Sequence, residues 1–161
     1  MGGVGQGYGN VTPVAEYNIW VDPEAARIVF EAGLPLKMVG WDPAHTYTAF
    51  TPQDTEQLRN IGTPLAVFCV DVQKVLHEFC IESMNLDGFD LPDPLAMAVA
   101  LDPMVATREK SLFVAIETDS ELCRGQTVVD HLNVMEHEPN VEIVFDVSRK
   151  RFLRILYDAV Q

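Results

Sequence analysis

A six-residue apolar run, LKMVGW at residues 36 to 41, is bounded by Pro35 on one side and Asp42-Pro43 on the other. It follows a segment punctuated as a helix: Asp22 can cap the N-terminus, Pro23 suits the first helical position, and Gly33 supplies a left-handed stop after ARIVFEA. A short apolar run in that position reads as a buried parallel strand, and a strand after a helix implies α/β packing. Such a sheet must be covered on both faces and needs several neighbouring strands, whereas the first half of the chain offers this one good candidate. Either strands from the C-terminal half complete the sheet, or part of the fold lies outside this chain.

Further elements follow from the same punctuation. TPQDTEQLRNIG repeats the helix-start pattern with Thr51, Pro52 and Asp54 and ends at Gly62. TPLAVFCVDVQKVLHEFCIESMN, residues 63 to 85, starts again at Thr63-Pro64 and places Leu65, Phe68, Val72, Val75, Leu76 and Phe79 on one face of a helix. NLDGFDLPDP, residues 85 to 94, is a loop by composition; LAMAVALDP then gives a short apolar helix ended by Asp102-Pro103, with Asp93 at its N-terminus. SLFVAIET, QTVVDHLN and VEIVFDVS read as strands, the last with Val141, Ile143 and Phe145 inward. Ser148 caps a closing helix, RKRFLRILYDAV, whose apolar side holds Phe152, Ile155, Leu156 and Ala159. With no repeat, low-complexity tract or linker, residues 1–161 are expected to form a single α/β domain, a sheet flanked by helices with additional C-terminal strands.

Charge narrows the partners. Lys and Arg number 11 against 24 Asp and Glu, a formal charge of -13, so a duplex phosphate backbone would be repelled over most of the surface, while a neutral sugar or a divalent cation would not. Nucleic acid is therefore not expected as a partner. The cysteines, Cys69, Cys80 and Cys123, are too few and too irregular for a disulfide framework, which points to a reducing, cytoplasmic setting. No apolar run approaches the roughly 18 residues of a membrane span, and MGGVGQG has neither the basic end nor the apolar core of a signal peptide. Asn10-Val11-Thr12 matches a glycosylation acceptor and is expected to stay bare.

Two places carry candidate chemistry. In AEYNIWVDP, Glu16 and Asn18 lie two apart, so an extended backbone would send both side chains to one face and Tyr17 and Ile19 to the other. With Asn10 they offer acceptors and donors suited to the hydroxyls of a polyol, although the same groups can instead satisfy loop backbone and cap the helix. Asp93, between Pro92 and Pro94, is either an ordinary helix cap or a carboxylate held rigidly for a hard cation such as Ca²⁺. GGVGQGYG does not satisfy G-x-G-x-x-G, and no Gly-Lys-Ser/Thr follows it, so it reads as a flexible turn. His45, His77, His131 and His137 are scattered without metal-ligand spacing, and His77 reads as a surface or boundary residue on its helix. No nucleophile signature is present, so no catalytic side chain is identified.

Taken in order, MGG, GNVTPVAEYNIWVDPEAA, MVGWD, DPLAMAVALDP and RGQTVVD closely resemble the C-terminal half of the inosine-uridine-preferring nucleoside hydrolases, across essentially the whole chain. The resemblance implies a Rossmann-like sheet, present here in part, and hydrolysis of the N-glycosidic bond of ribonucleosides to ribose and free base with a bound Ca²⁺. By that likeness Asn10, Glu16 and Asn18 would hold ribose hydroxyls, Tyr17 and Met1 would line the sugar pocket, and Asp93 would coordinate Ca²⁺ and touch the ribose. The family's D-x-D-x-G-x-D-D cluster is absent from this sequence, which implies an incomplete cation site in this chain alone. Many members carry histidine where this chain has Pro92, which cannot help a leaving base accept a proton. The expected partners are a ribonucleoside and either further copies of the chain or a missing N-terminal half. The alternative is an inactive derivative with a sugar-binding or assembly role, or an unrelated α/β interaction domain.

Overall fold

The computed structural model describes residues 1–83 and 87–161. The sheet that LKMVGW implied is completed by the C-terminal half. β1 (Lys37–Val39) pairs in parallel with β5 (Val141–Val147), Met38 opposite Ile143, and β5 pairs on its other side, antiparallel, with β2 (Ala106–Leu112), giving the order β1-β5-β2. β3 (Val114–Ile116) and β4 (Thr127–Val129) form a separate antiparallel pair. The expected strand at 111–118 is therefore two, broken at Phe113.

The central strand β5 is buried on both faces. Val141, Ile143 and Phe145 pack, as the alternation predicted, with Phe30, Met38 and Ile19; Val144 and Val147 enter a second cluster on the other face with Leu95, Val99, Val105 and Phe152. Helices cover the sheet because their starts are chemically fixed. α1 (Tyr17–Val21) is followed by α2 (Pro23–Glu31), capped by Asp22 accepting from the Ala25 N–H with Pro23 at the first position. α4 (Pro52–Asn60) begins with a capping box in which Thr51 and Asp54 satisfy each other's backbone N–H groups. α8 (Arg149–Asp158) is capped by Ser148 and buries Phe152, and Arg149 reaches Asp54 at 2.6 Å. Ala159, expected on the apolar side of that helix, instead lies at its exposed C-terminal cap.

Two further elements differ from the sequence expectation. The residues after β1 do not stay extended: Gly40 ends the strand and α3 (Trp41–Tyr47) begins at once. The long helix expected over 63–85 is α5 (Pro64–Val72), a break at Gln73, α6 (Lys74–Glu78) and a π-helical turn at Phe79–Ser83. Its last residues and the start of the loop expected from 85 lie outside the described residues. All six apolar residues expected on one face of it, from Leu65 to Phe79, are exposed. α7 (Pro92–Leu101) follows, and a 3₁₀ turn at Pro103–Val105 leads into β2. Among the described residues no helix is long and apolar enough to cross a membrane.

Candidate functional site

A hollow of about 740 Å³ lies between the N-terminal segment, α3 and the start of α7, and both Asn10 and Asp93 line it. The N-terminal segment is fixed residue by residue. Gly2 N–H donates to the Val39 carbonyl and Trp41 N–H to the Gly3 carbonyl, so residues 2 and 3 lie alongside the end of β1. Gly3 has φ +77°, and a Cβ there would stand 2.8 Å from Thr127 Cγ2, so the position admits glycine alone without strain or displacement. The Thr127 hydroxyl accepts from the Val4 N–H at 2.9 Å and donates to the Val4 carbonyl at 2.7 Å. The Gly5 and Gln6 N–H groups donate to the Asp42 carboxylate at 2.9 and 3.1 Å. Burial pushes the Asp42 carboxyl pKa up from its ordinary value, opposed by those two backbone donors. GGVGQGYG, expected as a flexible turn, is a run of bends held by Thr127 and Asp42.

The Asn10 to Asn18 stretch departs from the extended geometry expected of it. Glu16 has extended backbone angles but is the N-cap of α1, and Asn18 is already helical, so the two side chains do not leave from one face of a strand. The Glu16 carboxylate is buried and accepts three backbone N–H bonds, from Gly3 at 2.9 Å, Asn18 at 2.9 Å and Ile19 at 3.3 Å. Capping and loop fixation therefore account for most of its acceptor capacity, leaving about one of its four lone-pair positions. Asn10 is exposed and accepts the Tyr17 N–H at 3.0 Å through Oδ1, which turns the amide so that its NH₂ remains for another acceptor. Asn18 is exposed, with its amide nitrogen 3.1 Å from the Met1 sulfur. Exposed Tyr17 packs towards Trp20. Glu16 and Asn18 do not line the hollow that Asn10 and Asp93 share.

Asp93 occupies the second position of α7, as the loop-to-helix reading implied, but it does not cap the helix. The N-cap is Leu91, without a side-chain bond, and among the described residues the Asp93 carboxylate takes no hydrogen bond. It is exposed and close to the positive end of the helix. A hard cation is a different matter. Ca²⁺ takes roughly six to eight oxygen ligands, whereas the described residues contain no group of three or more acidic, histidine or cysteine side chains placed to hold a metal. The residues present do not by themselves fit Ca²⁺.

The other walls of the hollow were not foreseen from sequence. His45, in the last turn of α3, stacks on Trp41 with ring centroids 4.4 Å apart and 18° between planes, and its Nδ1 lies 2.9 Å from Asp90 Oδ2. Tyr8 meets Trp41 edge-on at 5.7 Å. Asp90 is delivered by an antiparallel bridge between Phe50 and Phe89, which pins the approach to α7 against the start of α4. Cys80 also lines the hollow; burial first and the Asp90 charge second push its thiol pKa up, which disfavours the thiolate nucleophile. Behind it lies a mostly apolar cavity of about 200 Å³, where half-buried His77 has its Nε2 enclosed without a partner among the described residues.

The resemblance is decided by comparison with known proteins. A family model described as inosine-uridine preferring nucleoside hydrolase matches residues 1–154. The chain belongs to that family. It is 37% identical over 162 residues to the pyrimidine-specific ribonucleoside hydrolase RihA of Shigella boydii, covering 100% of this chain and 51% of the relative, and the RihA of Shigella flexneri gives the same figures. Among solved structures, a plant nucleoside hydrolase superposes with a TM-score of 0.89 at 30% identity over 99% of this chain and 51% of that one. A purine-preferring ribonucleoside hydrolase from Gardnerella vaginalis superposes with a TM-score of 0.85 at 30% identity, covering 99% and 50% respectively. The chain spans about half the length of the curated relatives it matches. The mixed α/β architecture expected from the sequence is that of these nucleoside hydrolases.

Proposed function

We propose that residues 1–161 form the ribose-holding part of an enzyme that hydrolyses the N-glycosidic bond of ribonucleosides to ribose and free base. The observation that carries this reading is that Asn10 and Asp93, remote in sequence, line one hollow beside an aromatic wall. In this reading the Asn10 amide binds ribose hydroxyls and Asp93 meets the sugar from α7, both inside the hollow, while Asn18, the remaining acceptor position of Glu16, Met1 and Tyr17, none of which lines it, would border the ribose from outside it. Neutral hydroxyls need matched donors and acceptors and no basic group, which agrees with the composition of the stretch. Contacts that tighten as the ring flattens would favour an oxocarbenium-like transition state over the bound substrate. Asp93 would contribute one oxygen to a Ca²⁺ site whose other ligands come from outside residues 1–161, in a covalently joined or associated N-terminal half. Free Cys69, Cys80 and Cys123 agree with a reducing, cytoplasmic setting, where such hydrolysis would serve nucleoside salvage.

Calorimetric titration of the chain with ribose tests the sugar site. Saturable binding weakened about tenfold or more by Asp93→Asn or Asn10→Ala is expected, that being the loss of one charge-assisted or neutral hydrogen bond of about 1.4 kcal/mol or more. No binding, or variants that bind like the parent, would contradict the assignment. A second reading, a non-catalytic sugar-binding or assembly unit, is favoured by the missing cation cluster among the described residues. It predicts ribose binding without turnover even when the rest of the fold is supplied.

A further inference from the structure

His45 and Asp90 form a pair that no step above uses. They lie on separate elements, one in the last turn of α3 and the other on the bridged approach to α7, and both open onto the hollow that holds Asn10 and Asp93. An ionised carboxylate only accepts hydrogen bonds, so the 2.9 Å contact between Asp90 Oδ2 and His45 Nδ1 puts a proton on Nδ1 and leaves Nε2 as the atom for chemistry. Stacking on Trp41 at 4.4 Å holds the ring plane. Nearby Pro92 offers no proton, and Cys80 holds its proton more tightly than an ordinary thiol. Asp90, Asp93 and Cys80 are the titratable groups that share this wall with His45, with Tyr8 edge-on to its ring at 6.4 Å.

The hollow is also divided in character. Asn10 and Asp93 provide hydroxyl-binding groups, whereas Tyr8, Trp41 and Phe89 provide flat apolar surface suited to a heteroaromatic ring. We propose that His45, oriented by Asp90, is the catalytic proton donor to the departing nucleobase. The proposal rests on the hydrolase reading above. As the C1′–N bond breaks, its electron pair passes to the base, and the imidazolium Nε2–H delivers a proton to a nitrogen or carbonyl oxygen of that base. Water adds its oxygen to C1′ and loses one proton, which returns to the imidazole directly or through solvent. Asp90 is a positioning residue: it fixes the tautomer and stabilises the charged ring without meeting the substrate.

The test compares two leaving groups in an assembly of this chain with the N-terminal half of a relative. A nucleoside base departs poorly without a proton, whereas p-nitrophenolate, from p-nitrophenyl riboside, leaves as an anion. His45→Gln is expected to raise the ratio of kcat/KM on the p-nitrophenyl riboside to that on uridine or inosine by about 100-fold or more, the usual scale of general-acid catalysis, chiefly through kcat on the nucleoside. Asp90→Asn is expected to shift the ratio the same way and to move the basic limb of the nucleoside pH profile, on which the acid loses its proton, which a purely structural role would not do. An equal loss on both substrates would overturn the proposal. An unsubstituted assembly inactive on both would sink the hydrolase reading, and His45 is then judged on the chain alone: NMR titration with uracil or hypoxanthine should shift the His45 ring resonances while ribose alone does not, and unmoved His45 signals overturn the assignment.

Discussion

At the scale of single residues, Glu16 shows how one carboxylate can join two parts of a site. Its three backbone acceptor bonds tie Gly3, beside the end of β1, to the first turn of α1, with the side chain buried. Glu16→Gln replaces an acceptor by an NH₂ that faces N–H donors, and is expected to destabilise the chain by about 1–3 kcal/mol in urea unfolding; a change below a few tenths would show that the contacts matter little. Asp146 supplies a pH test. Its carboxylate accepts from Arg108 at 2.6 Å and from the Tyr47 hydroxyl at 2.9 Å, and Arg108 first, then Tyr47, hold its pKa below the ordinary value despite partial desolvation. A depressed folded-state pKa contributes stability that is present above the unfolded carboxyl value of about 4 and is lost as pH falls through the lower folded value. The stability difference between the parent and Asp146→Asn should therefore be largest above about pH 4 and shrink at lower pH. A constant difference measured by denaturant midpoints across that range would contradict it.

At the scale of elements, β4 anchors the glycine-rich segment through Thr127, whose hydroxyl serves both polar groups of Val4. Thr127→Val keeps the shape and leaves a buried N–H and carbonyl without that partner, so a loss of about 1–3 kcal/mol is expected, together with faster hydrogen exchange at Val4; protection equal to the parent would contradict the anchor. The same elements show what a sequence reveals. α2, α4 and α8 were legible because Asp22-Pro23, Thr51-Pro52 with Asp54, and Ser148 state their starts in side-chain chemistry. The break at Gln73 was not, since neither glycine nor proline marks it. Much of β2 was hidden too, because ATREK is an edge strand whose charged side chains face solvent, the opposite of the pattern of a buried strand. In the site, Asn10 and Asp93 stand in recognisable turn and helix-start contexts, whereas the His45–Asp90 pair exists only once Phe50 bridges Phe89 across 39 positions of chain.

At the scale of the whole molecule, the chain leaves a large apolar surface on α5, α6 and the π turn, where Phe68, Val72 and Val75 are all more than half exposed. A soluble monomer rarely carries such a contiguous face, so self-association, or capture of the remainder of the fold, is expected there. Phe68→Glu with Val75→Glu should lower the mass seen by light scattering at micromolar concentration; an unchanged mass would place any interface elsewhere. The half-length match, the unmet cation chemistry and this open face all agree with the proposed reading of a sugar-holding unit that acts with a second one. The most direct measurement is ribose release from uridine and inosine, with Ca²⁺ present, by the chain combined with the N-terminal half of a relative. Ribose and free base should appear in equal amounts from the combination and not from either part, and Asp93→Asn should lower the rate at least about 100-fold, as expected for loss of a group acting in the transition state. No turnover while the intact relative is active in parallel, or full turnover with Asp93→Asn, would contradict it.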